Sequence, residues 1–161
     1  MVDIVYTLTA TFRRDTVATL GKGDAGNLKF VTATRSVTAR ADGDTMKMMR
    51  LPSAARISGL SNVDWDDLDS AGAPTMDVGV ASVGNNITTN DPNGLSDAHD
   101  ITSAGSENLI DNHADYGKAL WEFVSGLTED PGGELDIYVS FVDATTNITG
   151  DVTVEVAYTL D

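Results

Sequence analysis

Apolar and polar positions alternate with a period of two along most of this chain. Residues 4–12, IVYTLTATF, put Ile4, Tyr6, Leu8, Ala10 and Phe12 on one side and Val5, Thr7, Thr9 and Thr11 on the other. That is the pattern of a half-buried strand in residue types that suit one. Residues 28–40, LKFVTATRSVTAR, are again Thr/Val-rich and extended. Residues 45–50, TMKMMR, fit a strand or a short helix, and Pro52 interrupts any helix there. Residues 54–65 read as one strand, with Gly59 marking a bulge. Residues 75–80, TMDVGV, make a short strand, and 119–124, ALWEFV, alternate once more. The clearest patterns come last. Leu135, Ile137, Val139 and Phe141 share a face, as do Val152, Val154, Val156 and Tyr158. These two strands, joined by a short loop, are expected to form an antiparallel hairpin and to supply the core.

Turn signals separate the strands: Gly21–Asn27, Ala41–Asp44, the acidic stretch 66–73 and the Pro-Gly turn at 129–133. Residues 81–106, rich in Gly, Asn, Asp, Ser and Thr, read as a long loop and the best place for a contact loop. Residues 107–118 fit one or two helical turns. The sum is an all-β chain of about eight strands with little helix. One-sided alternation requires each sheet to bury one face. The expected fold is therefore an antiparallel β-sandwich of jelly-roll type, with a barrel as the alternative. No repeat, linker or composition break divides residues 1–161, so one domain is expected.

Composition removes several classes of function. There are no cysteines among 161 residues, which excludes disulfides, zinc-thiolate sites, iron–sulfur clusters and cysteine nucleophiles. The start, MVDIVYTLTATF, lacks the basic residues and apolar block of a signal peptide, and no apolar run is long enough to span a membrane. Charge says more. The net charge is −15, from 25 acids and 10 bases, and 20 of the acids are Asp. Residues 1–56 carry nine bases and five acids, a net of +4; residues 57–161 carry one base and twenty acids, a net of −19. Such a chain repels nucleic acid and anionic membranes, and the split makes a particle with one basic and one acidic face plausible.

Candidate chemistry is thin. His99 and His113 are the two histidines, each between aspartates. A catalytic or metal site would need them to converge with carboxylates; exposed loop histidines are the plainer reading. Asp64, Asp66, Asp67 and Asp69 form the densest acidic cluster. Oxygen ligands at that spacing suit calcium, but the EF-hand pattern fails, and a solvated acidic turn is the plainer reading. Gly21, Gly23 and Gly26 imitate a phosphate loop, yet the following segment is strand, where the motif needs a helix. No nucleophile elbow, cofactor signature or metal motif is present, so no catalytic residue and no cofactor is assigned. Trp65 and Trp121 read as core anchors. Arg13, Arg14, Arg35, Arg40, Arg50 and Arg56 outnumber the lysines. They are candidates for a protein or subunit interface, because the planar guanidinium pairs with carboxylates at low entropic cost; six separate surface arginines are the alternative.

From Leu51 onward the chain resembles small virion structural proteins of tailed bacteriophages. The segments carrying this are Leu51-Pro52 with Ala55-Arg56-Ile57, Thr75 with Asp77-Val78-Gly79, and Gly117-Lys118 with Leu120-Trp121-Glu122. Asp130-Pro131-Gly132 and a closing pair from Asp136-Ile137 through Ala144-Thr145 and Gly150 complete it. The match covers about two-thirds of the sequence and is one of strands and turns. It implies a non-enzymatic capsid decoration, or cement, protein. Such a protein assembles in the host cytoplasm, binds the major capsid protein on the virion exterior as a trimer, and clamps neighbouring capsomers. A tail or neck component, and a ligand-binding β-sandwich module outside viruses, remain the alternatives.

Overall fold

The computed structural model describes residues 28–69, 71–82, 91–144 and 148–160. The expected strand 4–12, the Gly21–Asn27 turn and Arg13 and Arg14 lie outside these residues. The described strands are β1 (Lys29–Arg40), β2 (Thr45–Pro52), β3 (Arg56–Ile57), β4 (Asn62–Trp65), β5 (Thr75–Ser82), β6 (Asp91–Asp100), β7 (Gly105–Asn108), β8 (Glu134–Val142) and β9 (Ile148–Thr159). Two single 3-10 turns, His113–Asp115 and Leu120–Phe123, stand between β7 and β8.

The strands form two antiparallel sheets. One has the order β1-β9-β4-β7, with β3 also pairing β9; the other has the order β2-β8-β5-β6. The pairs nest: β1 with β9, β2 with β8, β4 with β7 and β5 with β6. A long hairpin rolled on itself gives this arrangement, with successive pairs falling alternately into the two sheets. The fold is a β-sandwich of jelly-roll type.

The rolled topology overturns one expectation. β8 and β9 are not a hairpin. β8 pairs β2 and β5, whereas β9 pairs β1 and β4 in the opposite sheet. Alternation reports which face of a strand is buried, not which strand lies beside it. The chain changes sheets at two corners that brace each other. Gly43, at φ +78°, donates its N–H to the Phe141 carbonyl at 2.9 Å, and the Asp143 N–H donates to Asp42 Oδ1 at 2.8 Å.

The inward faces of both sheets make one core. Leu135, Ile137, Val139 and Phe141 meet Val152, Val154 and Val156 with essentially no exposure, and Tyr158 is buried beside them. Trp65 is buried among them, and Trp121 packs against the core while half-buried. The ambiguous 45–50 segment is strand. A bulge between Lys47 and Met49 in its register with β8 breaks the alternation, so Met46, Met48 and Met49 are all buried.

Three other segments differ from their pattern. Residues 54–65 are two short strands split by a turn at 58–61, where the Tyr116 ring lies so close over Gly59 that a β-carbon would stand 2.5 Å from it. Residues 119–124 alternate but form a 3-10 turn. Glu122 accepts the Ala119 N–H at 2.7 Å, and the turn is tied down by Leu120 N–H to Ala55 O and Trp121 N–H to Ser53 O. The expected loop 81–106 contains β6 and the first half of β7. β6 slips register twice against β5, which hides its alternation and accommodates Pro92 on an edge strand.

Candidate interaction surface

Among the described residues β1 and β2 end their respective sheets on the same side of the sandwich, joined by the 41–44 corner; β6 and β7 end them on the other. Residues 28–52 carry five bases, Lys29, Arg35, Arg40, Lys47 and Arg50, against Asp42 and Asp44. Residues 91–111 carry Asp91, Asp97, Asp100, Glu107 and Asp111 and no lysine or arginine. The charge asymmetry of the sequence thus becomes a dipolar sandwich, with one basic and one acidic edge.

The structure separates the candidate arginines. Arg50 is committed within β2 and β8. Its Nε lies 2.7 Å from Asp136 Oδ1, and Lys47 Nζ lies 2.7 Å from Asp136 Oδ2. Burial works against the Asp136 charge, but hydrogen bonds from Arg50 and Lys47 outweigh it and hold the carboxyl below its usual range. Arg56 stands across β9 from β1, opposite Thr159, and donates to the Gly117 carbonyl at 3.1 Å. Lys29, Arg35 and Arg40 lie on β1, and among the described residues no acid forms an ion pair with them. Arg35 stands opposite Val152, on the core-facing side of β1, yet is exposed. The edge strand therefore overhangs the opposite sheet at that point.

The outer face of β1 and β9 is a polar ladder: Thr32 to Glu155, Thr34 to Thr153 and Ser36 to Asp151, the last at 2.6 Å. Apolar groups are exposed at one end of it, at Leu28 and Phe30, with Leu60 on the turn after β3.

His99 overturns the reading of an exposed loop histidine. It lies in β6, opposite Met76, with 1% of its surface exposed. Nδ1 is 2.8 Å from Glu107 Oε2, Nε2 is 2.8 Å from Ser96 Oγ, and the ring lies 5.2 Å from that of Trp65. A carboxylate only accepts, so Nδ1 donates to Glu107, and in the neutral imidazole Nε2 then accepts the Ser96 hydroxyl proton. The order Ser–His–Glu imitates a hydrolase relay, but Ser96 is itself 1% exposed, so its Oγ faces the core rather than a substrate. The arrangement ties edge strand β6 to edge strand β7. His113 is exposed on its 3-10 turn.

A second buried polar group supports the same edge. Asp77, on the outer face of β5, accepts the N–H of Ala98 at 2.9 Å, and Ala98 has φ +58°. The carboxylate thus caps the bulge that turns Ser96 and His99 inward. Burial is the main cause that pushes the Asp77 carboxyl above its usual range, against the hydrogen bond from Ala98. Tyr138, one strand away and opposite Gly79, is pushed up to about 12 by burial and by the charges of Asp91 and Asp77. Its hydroxyl has no hydrogen-bond partner among the described residues. Gly79 itself is required: a β-carbon there would lie 2.0 Å from the Asp91 carbonyl oxygen at the start of β6.

The acidic turn does not close on itself. Asp66 accepts the Asp151 N–H at 2.9 Å, Asp69 accepts the Ala71 N–H at 3.0 Å, and Asp66 and Asp67 are exposed. Among the described residues no three acids or histidines are placed to hold a metal ion. The sequence missed Ser96, Glu107 and Asp77. The available signal was a histidine three residues after a serine in a stretch otherwise too polar to suggest burial.

What fold and surface define together is a jelly-roll sandwich with polarised edges. Two solved structures share this fold. A chain of the capsid of Ralstonia phage GP4 matches with a TM-score of 0.64 and 23% identity, over 85% of this chain and 86% of that one. A chain of the cyanophage Pam1 capsid asymmetric unit matches with a TM-score of 0.52 and 20% identity, over 84% and 86%. At these identities the likeness is one of fold. No protein-family model and no curated protein matches the sequence.

Proposed function

We propose that this chain is a structural component of a phage head, a decoration protein that binds the outside of the shell and clamps neighbouring capsomers. The observation that carries the reading is the two-sided coverage. Both similar chains come from phage capsids, and each is matched over nearly its whole length as well as over most of this chain. Each is therefore a capsid component of about this size, not a large protein containing such a module. The physical properties agree. The large negative charge keeps decorated particles apart by repulsion. Repetition over a symmetric shell turns modest affinity per site into strong total clamping. In this reading the partner is the major capsid protein, the working unit is a trimer, and the location is the virion exterior. Of the six candidate arginines, Arg13 and Arg14 with Arg35 and Arg40 supply contacts to shell or neighbouring subunit by pairing with carboxylates, whereas Arg50 is engaged by Asp136 and Arg56 by the Gly117 carbonyl.

The test uses shells made without this chain. Purified protein added back is expected to co-sediment to a saturating stoichiometry and to raise the temperature at which the shells rupture. Binding without stabilisation would contradict clamping. No binding to shells, with binding to isolated tails or necks, would move the protein to those parts of the particle.

A further inference from the structure

We propose that copies of this protein associate edge to edge and head to tail, the basic β1 edge of one copy lying against the acidic β6–β7 edge of the next. Lys29, Arg35 and Arg40 line the first edge, and Asp97, Asp100 and Asp111 line the second. Of these six, Arg40 is half-buried and the rest are exposed.

Three observations select a second copy as the occupant. The first is charge complementarity within one molecule. Among the described residues the three β1 bases have no acid partner, and the opposite edge from 91 to 111 carries five acids and no base. At physiological salt, screening over about 8 Å mutes the repulsion between whole chains of net charge −15 but not contacts within an interface. The second is the state of β1. Among the described residues it is a 12-residue edge strand with Leu28 and Phe30 exposed, Phe30 at 55%, and an edge of that length is a ready template for pairing. Charge placed only to prevent such pairing could have either sign, and acid is the majority charge of this chain. Bases concentrated here attract the opposite edge instead of repelling it. The third is the firmness of the acidic edge. The Ser96–His99–Glu107 relay and the Asp111 carboxylate, which accepts the Asp97 N–H at 2.8 Å, fix β6 and the β7 exit to one another, so these charges are held in place before contact. Two different edges in contact make a heterologous interface, which closes into a ring or runs on as a chain.

Purified full-length protein, away from any shell, tests this by sedimentation equilibrium with near-UV circular dichroism as the check on folding. The wild type is expected to self-associate reversibly and less tightly as sodium chloride rises. Arg35→Glu with Arg40→Glu, and separately Asp97→Lys with Asp100→Lys, are each expected to weaken association by more than about a hundredfold, since like charges then face each other. Mixing the two variants in equal amounts is expected to restore it, because the acids placed on the β1 edge of one then face the bases placed on the β6–β7 edge of the other. If either reversal fails to fold, Arg35→Gln with Arg40→Gln and Asp97→Asn with Asp100→Asn replace them, each expected to weaken association about tenfold. A monomeric wild type overturns the proposal. So does association that strengthens with salt, that survives change of either edge, or that the mixture of folded reversal variants does not restore. Because no shell is present, these outcomes are independent of whether the protein decorates a capsid.

Discussion

Replacing His99 by leucine removes an imidazole whose side chain has no exposure and both of whose nitrogens are hydrogen-bonded. The consequences at its two partners differ. Glu107 is 58% exposed at its side chain, and water takes the place of His99 there at little cost. Ser96 is buried, and its hydroxyl is left without an acceptor. A stranded buried group costs about 1–3 kcal/mol, so His99→Leu is expected to lose about 2 kcal/mol. Ser96→Ala strands the Nε2 atom in the same way and is expected to lose a similar amount. The double variant leaves neither group unpaired, and removing both partners of a buried hydrogen bond is close to neutral. The two losses therefore do not add: the double variant is expected to lose less than either single one, a coupling of more than about 2 kcal/mol. In a chain of this size each single change lowers Tm by about 4–8 °C. Urea unfolding followed by tryptophan fluorescence measures the cycle, with Trp65 beside the ring as a local reporter. Losses that add within about 0.5 kcal/mol would refute the reasoning, and so would a harmless Ser96→Ala.

Tyr138→Phe deletes a buried hydroxyl that has no partner among the described residues and is expected to leave stability unchanged or raise it by about 1 kcal/mol; a loss of that size in urea unfolding would show that the hydroxyl is satisfied. Asp77 and Asp136 are expected to depend on pH with opposite signs. The Asp136 carboxyl is held low, so its contribution is present above the unfolded carboxylate value and is lost as pH falls through the lower folded one. Asp136→Asn is thus expected to cost about 1 kcal/mol at neutral pH and nothing at strongly acid pH. The Asp77 carboxyl is held high, so its favourable contribution is full below the unfolded value and is lost as pH rises through the folded one. Asp77→Asn, which keeps an acceptor for Ala98, is expected to stabilise at pH 7 and to lose that advantage near pH 4. Denaturant curves at the two pH values check both, and equal effects at the two would contradict either assignment.

The strands were legible where one face is buried without interruption. β5, β8 and β9 alternate in residue type because their inward apolar residues meet the same core, whereas β1 alternates except at the exposed Arg35. What alternation cannot carry is the neighbour: the closing pair looked like a hairpin but spans the two sheets. β6 was hidden because Pro92 and Gly94 interrupt it, it slips register twice, and it buries Ser96 and His99 as well as Leu95. The 120–123 turn misled for the opposite reason, since Leu120 and Phe123 are buried at i and i+3 while the segment still alternates in type. The charge split was visible in composition alone. It became two opposed edges because β1 and β2, consecutive in sequence, both end a sheet on the same side. The arginines dispersed because their environments differ: Asp136 engages Arg50, whereas Arg35 and Arg40 remain on an open strand.

The proposed role as a lattice-wide component of a phage head fixes the copy number of this protein in the particle. Quantitative mass spectrometry of purified virions gives the ratio of this chain to the major capsid protein. A ratio near parity is expected. A low, fixed ratio would contradict it in favour of a tail, neck or single-vertex component, and absence from the particle would remove the virion role altogether.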